Sequence, residues 1–228
     1  MADKPSRALV IYGDGCASSV HSNLHSFASL ASCGFLSLRD ETRNDRVISD
    51  LAQLLDAYDQ NITERFMGLR AAIFTLGFTI LELNAAKVLQ LLGFSGGNVL
   101  EKCEFDLVFL HIWLNKLVGR IMQTAQLGSS IASRLHFSIV LSFLTVSEKN
   151  SDLYLLRPRQ SYTMKGGDIR HHHPMLIAQW QEGVTRKDLS KAFSFREFKE
   201  YGVNLAILAD RFLHEVAFKL WKAPKYGA

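Results

Sequence analysis

Ala8-Leu9-Val10-Ile11-Tyr12-Gly13-Asp14-Gly15 forms the chain's first regular stretch. A short apolar run bounded by glycine reads as a strand buried on both faces. Such strands belong to parallel sheets covered by helices, whose ligands collect beyond the carboxyl ends of the strands. Asp14 is therefore where a metal site or a phosphate-handling site would begin.

Downstream, strand and helix patterns alternate. Asn23 is placed to cap a helix carrying Leu24, Phe27, Ala28, Leu30 and Ala31, ending near Gly34. Phe35 to Leu38 reads as a short strand, and Val47, Ile48, Leu51, Leu54 and Leu55 fall at helical spacing. Further strands are expected over Leu69–Leu76, Phe105–His111, Leu135–Val146 and Met175–Ala178, with helices over Ile80–Leu92 and Trp113–Ser133. Ser95 to Asn98 and residues 157–173 read as loops. Short helices are expected around Ser194–Tyr201 and Asp210–Trp221. The pattern predicts one α/β domain over residues 1–228, with a mainly parallel sheet and helices on both faces.

Composition narrows the function classes. Hydrophobic residues make up 48% and charged residues 21%, an ordinary globular balance, and the formal charge is +4. No basic run marks a nucleic-acid arm. The bias of Arg157, Arg159, Lys165, Arg170, Arg186, Lys187 and Lys191 is read as a solvated surface. Cys16, Cys33 and Cys103 are too few and scattered for a disulfide framework and fit a reducing compartment. Met1 to Arg7 carries no signal core, and Ala71–Leu81 spans about half of what a membrane helix needs. The expectation is a cytoplasmic protein without a membrane span or nucleic-acid partner.

Several residues could carry chemistry. Asp14 can ligate a hard cation or cap the next turn. His111 closes an apolar strand on the same edge as Asp14 if the strands are parallel, and can be a ligand or a hydrogen-bonded structural histidine. His171-His172-His173 can hold zinc, manganese or iron, or be surface histidines; at most two of the three easily face one ion. Gly166-Gly167-Asp168 near Arg170 reads as an anion nest or a flexible turn. Ser95-Gly96-Gly97 lacks a phosphate-loop lysine. Phe193, Phe195, Phe198, Phe212, Phe218 and Trp221 are expected in the core. No nucleophile motif is present: there is no Gly-x-Ser-x-Gly, no His-Glu-x-x-His, and no cysteine in a basic setting.

The order of three motifs resembles the alkaline-phosphatase superfamily, and within it the cofactor-independent phosphoglycerate mutases. Val10 to Gly15, followed by Asn23-Leu24-His25-Ser26-Phe27-Ala28-Ser29-Leu30-Ala31-Ser32-Cys33-Gly34, is similar to that superfamily's opening strand, Asp-Gly ligand and first helix. Phe105 to Ile112 is similar to the mutases' internal strand. His173-Pro174-Met175-Leu176-Ile177-Ala178 with Gly183-Val184-Thr185-Arg186-Lys187-Asp188 is similar to their late histidine, strand and turn. The likeness covers about a third of the chain.

The resemblance implies metal-ligand roles for Asp14 and one of His171, His172 and His173, and a serine or threonine nucleophile after the first helix, where Ser37 and Thr42 are available. The chain departs from the family at two ligand motifs. His111-Ile112-Trp113-Leu114-Asn115-Lys116 offers no aspartate, and Thr145-Val146-Ser147-Glu148 stands where an Asp-His pair is usual. The expectation is a divergent, non-catalytic binding or scaffolding protein with an eroded two-metal site, holding at most one zinc or manganese ion. Its partner would be a protein or a phosphorylated small molecule. Two alternatives stand beside it. One is a metal-dependent phosphohydrolase or phosphomutase. The other is an interaction subunit docking through Phe218, Trp221 and Tyr226.

Overall fold

A computed structural model describes residues 7–13, 21–39, 46–57, 66–75, 84–111, 115–142, 169–202 and 204–224. Among the described residues seven strands form one sheet in the order β3-β6-β1-β7-β8-β2-β9. They are β1 (Arg7–Gly13), β2 (Ser32–Arg39), β3 (Ala71–Phe74), β6 (Leu107–His111), β7 (Leu135–Ser142), β8 (Ile169–Trp180) and β9 (Asn204–Leu208). A two-residue hairpin, β4 (Phe94–Ser95) with β5 (Asn98–Val99), stands apart. The α/β class predicted from sequence is the class observed.

β1 lies between β6 and β7 and runs parallel to both. Ala8 to Tyr12 are wholly buried, as a strand covered on both faces requires. Alternation sends Leu9 and Ile11 to one face, with Val108, Phe137 and Leu176. That face is covered by helices α1 (Ser22–Ala28), α3 (Ala85–Leu91), α4 (Asn115–Thr124), α5 (Ser130–Arg134) and α6 (Phe195–Tyr201). Ala8, Val10 and Tyr12 go to the other face, under α2 (Arg46–Leu54) and α7 (Phe212–Lys219).

β8 corrects two expectations. It runs antiparallel to both neighbours, β7 and β2, and spans twelve residues, so Ile169 to His173 are strand rather than loop. Every other described strand of this sheet runs in one direction, so β8 enters it at the carboxyl edge of its neighbours. Its register against β2 shifts: Met175 faces Leu36 but Arg170 faces Leu38, so five steps along β8 match two along β2. Extra residues in one strand make a bulge, and the lack of an N–H at Pro174 suits one.

Other expectations also shift. Asn23 does not cap its own helix. The N-cap is His21, without a side-chain bond, and the cap comes instead from α4: Asn115 Oδ1 accepts from the N–H of Asn23 at 3.0 Å and of Leu24 at 3.4 Å. Asn23 Nδ2 donates back to the Asn115 carbonyl at 2.9 Å. This contact needs Gly119, where a Cβ would lie 2.7 Å from the Asn23 amide. The expected long helix over Trp113–Ser133 is two, α4 and α5, separated at Gly128, whose φ of +83° favours glycine. β9 has no counterpart in the sequence reading. Ser95 to Asn98 is a hairpin rather than a loop.

Phe193, Phe198 and Phe212 are in the core, as expected. Phe218 and Trp221 are not: they are 38% and 68% exposed. Among the described residues no helix is long and apolar enough to cross a membrane.

Candidate functional site

The topology brings the ends of β1, β6, β7 and β2 and the start of β8 to one edge of the sheet. His111 is the last residue of β6, level with Tyr12 of β1. It is 8% exposed, and its ring lies 5.1 Å from that of Tyr12, centroid to centroid. Asp14 lies outside the described residues, as does Thr42. Gly166, Gly167 and Asp168 lie outside them too.

His171, His172 and His173 fall within the five-step stretch of β8 that opposes Leu36–Leu38. Ser37 sits on β2 inside that same interval, facing Leu208 of β9 on its other side. The fold thus sets the histidine-bearing bulge and Ser37 on adjacent strands, a proximity that sequence spacing did not suggest. Ser37 is only 1% exposed.

His111 belongs to a different part of the edge. Three strand spacings separate β6 from β8, about 14 Å at the usual separation of neighbouring strands. His111 and the stretch of β8 that carries His171, His172 and His173 thus share one edge of the sheet, three strands apart. Among the described residues no group of three or more histidine, cysteine, aspartate or glutamate side chains is arranged to hold a metal ion.

At the opposite, amino edge, polar side chains are buried and engaged. Asp106 accepts from the Arg70 backbone N–H at 3.1 Å, Nε at 3.1 Å and Nη2 at 3.0 Å. Burial raises the Asp106 pKa, but the Arg70 bonds outweigh it and hold the group below the usual carboxylate range. Asp188 Oδ2 accepts from the Cys33 N–H at 2.9 Å, and Oδ1 lies 3.3 Å from Arg186 Nε. Burial pushes the Cys33 thiol up to about 12, opposed by a Ser190 hydrogen bond and reinforced by the Asp188 charge. A thiol so placed is inert as a nucleophile.

The sequence reading missed one constellation. His136 Nε2 lies 3.2 Å from Ser138 Oγ and 3.4 Å from Gln179 Nε2. A serine–histidine pair at that range has the spacing of a nucleophile and its base. Its burial argues otherwise: His136 and Ser138 are wholly buried beneath the α7 face and Gln179 is 4% exposed. Burial, aided by the Lys219 charge, holds the His136 pKa well below its ordinary value, so the ring is neutral. The signal was present in Leu135-His136-Phe137-Ser138, where two polar residues alternate onto one face of an otherwise apolar strand.

Comparison with known proteins adds the fold alone. No family model matches this chain, and no curated protein does. It is similar to a solved structure, that of the PH0037 protein from Pyrococcus horikoshii, with a TM-score of 0.56 and 11% identity. The match covers 99% of this chain and 100% of that one.

Proposed function

We propose that this chain is a divergent relative of the alkaline-phosphatase superfamily that binds or scaffolds rather than catalyses phosphoryl transfer. The observation that supports this reading best is the burial of Ser37, which is 1% exposed, because a nucleophile must meet its phosphate ester. The retained edge suits a phosphorylated small molecule or a protein partner, with at most one zinc or manganese ion held through Asp14 or a β8 histidine. The sparse cysteines suit a cytoplasmic setting.

Elemental analysis of untagged protein, with a phosphate-ester screen in manganese and in zinc, tests the proposal. Fewer than two stoichiometric metals and no turnover are expected. Two bound metals, with turnover abolished by Asp14→Ala, would overturn it and establish the phosphohydrolase or phosphomutase reading.

The interaction-subunit reading is favoured by one local observation. Trp221 follows α7 with a φ of +64°, a conformation in which glycine is usual and a bulky residue is uncommon, and its ring stays 68% exposed. Tyr226 lies outside the described residues. A sizing column distinguishes the readings: a Trp221→Ser change that shifts the elution of an assembled species supports docking through this end.

A further inference from the structure

A cavity of about 330 Å³ opens at the amino edge, where α1 and α4 end and β8 leaves the sheet. Phe27, Leu30, Met122, Ala125, Leu127 and Trp180 line it, and Gln126 supplies its single amide. It is more than twice the size of an apolar cavity of roughly 150 Å³ that accepts benzene, so a phenyl or indole group fits.

The surroundings decide between a small ligand and a protein segment. Leu127, on the cavity wall, is 66% exposed. The Gly128 N–H donates to Glu182 Oε1 at 2.7 Å, which joins this wall to the segment after β8. On that segment Val184 is 46% exposed and Leu189 77% exposed. The Asp188 N–H donates to the Ala31 carbonyl at 3.1 Å, tying the same segment to the end of α1 next to Leu30. A small molecule would fill the cavity and leave these three side chains in water, whereas a polypeptide laid over the mouth covers them. Apolar patches with a polar rim mark protein contacts. The same segment carries exposed cations, Lys187 and Lys191, while Arg186 pairs with Asp188 and Glu182 accepts from the Gly128 N–H.

We propose that this mouth docks a segment of a partner protein that inserts one bulky apolar side chain and carries acidic residues on either side. The site lies at the edge opposite the β8 histidines and does not depend on the fate of the metal chemistry there.

Selection of displayed random peptides on the full-length chain tests it. The expected product is a set of peptides with one aromatic or leucine anchor flanked by aspartate or glutamate. The tightest, made synthetically with a fluorophore, should lose at least tenfold in affinity on Leu127→Ser with Leu189→Ser, two exposed positions whose change leaves folding intact. Lys187→Glu with Lys191→Glu should weaken it severalfold, and Ala125→Trp should abolish binding by filling the cavity. Selected peptides without an anchor, or indifferent to the Leu127 and Leu189 changes, would overturn the proposal. So would free indole binding as tightly as the peptide, which would make the site a small-molecule pocket. Self-association lost on Leu127→Ser would overturn it in favour of a second copy of the chain.

Discussion

The two edges of the sheet use their polar residues in opposite ways. At the amino edge Arg70 with Asp106, Arg186 with Asp188, and His136 with Ser138 and Gln179 are joined to one another, and these contacts hold strands and loops together. At the carboxyl edge the chemistry-bearing residues, His111 and the β8 histidines, end or interrupt strands, and the chain departs from regular pairing beside them. A buried polar group is costly unless paired. The difference assigns a stabilising part to these amino-edge pairs, while the ligands of open α/β sheets are generally met at the carboxyl edge.

The strongest way to break this contrast is at Asp188. Its carboxylate is buried and accepts the Cys33 N–H, so Asp188→Ala strands that buried donor. A loss of about 3 kcal/mol is expected in urea unfolding, the usual cost of an orphaned buried group. A loss below 1 kcal/mol would mean that the amino edge is not held as described.

Next in size is the helix contact on the carboxyl side. Gly119→Ala pushes a methyl into the Asn23 amide and displaces the Asn115 cap, at an expected cost of about 2 kcal/mol. Asn23→Ala alone should cost less, and in the Asn23→Ala background Gly119→Ala should lose most of its effect. Additive losses would show that the two residues do not act through one another.

The smallest expected effect is a pH dependence. The His136 pKa is lower folded than unfolded, so the unfolded chain binds more protons as pH falls through the ordinary histidine range. His136 therefore contributes no penalty above that range and destabilises the fold progressively below it. Between pH 7.5 and 5.5 the loss should be about 1.4 kcal/mol, one pKa unit's worth of free energy. Chemical denaturation of the His136→Gln variant should show that dependence removed. The Asp106 pair acts in a separate, more acidic window: its pKa is lowered, so its contribution is lost only as pH falls below the usual carboxylate range.

What could be read in the sequence follows from what is local. β1, β6 and β7 announce themselves because strands buried on both faces are continuous apolar runs, and the covering helices because their apolar residues recur at helical spacing. The direction of β8 is not local. It is set by pairing with β7 and β2, and a strand's apolar content is the same whichever way it runs. The Asn115 cap was hidden for a related reason: Asn23 has the side chain of a self-capping residue, and only the approach of α4 at Gly119 redirects it. Of the candidate site, the place of His111 at a strand end was legible, but its sharing an edge with the β8 histidines follows from the antiparallel run of β8, and the distance across that edge from strand order. The Ser37 position beside the bulge depends on strand order as well. Asp188 also escaped, since nothing near it in sequence reveals that its partner is the Cys33 amide.

The place of β2 in the sheet has a consequence for how the protein is made. β2 leaves the ribosome early among the described strands, yet both of its neighbours, β8 and β9, follow more than a hundred residues later. Its partner Gln179 emerges 147 residues after Ser32, at a synthesis rate of about 5–20 residues per second. For those seconds an apolar strand waits with both edges open while β1, β3, β6 and β7 can already pair. Nascent chains of this topology depend on something to shield that strand, and truncated products ending before β8 should be captured by chaperones or aggregate.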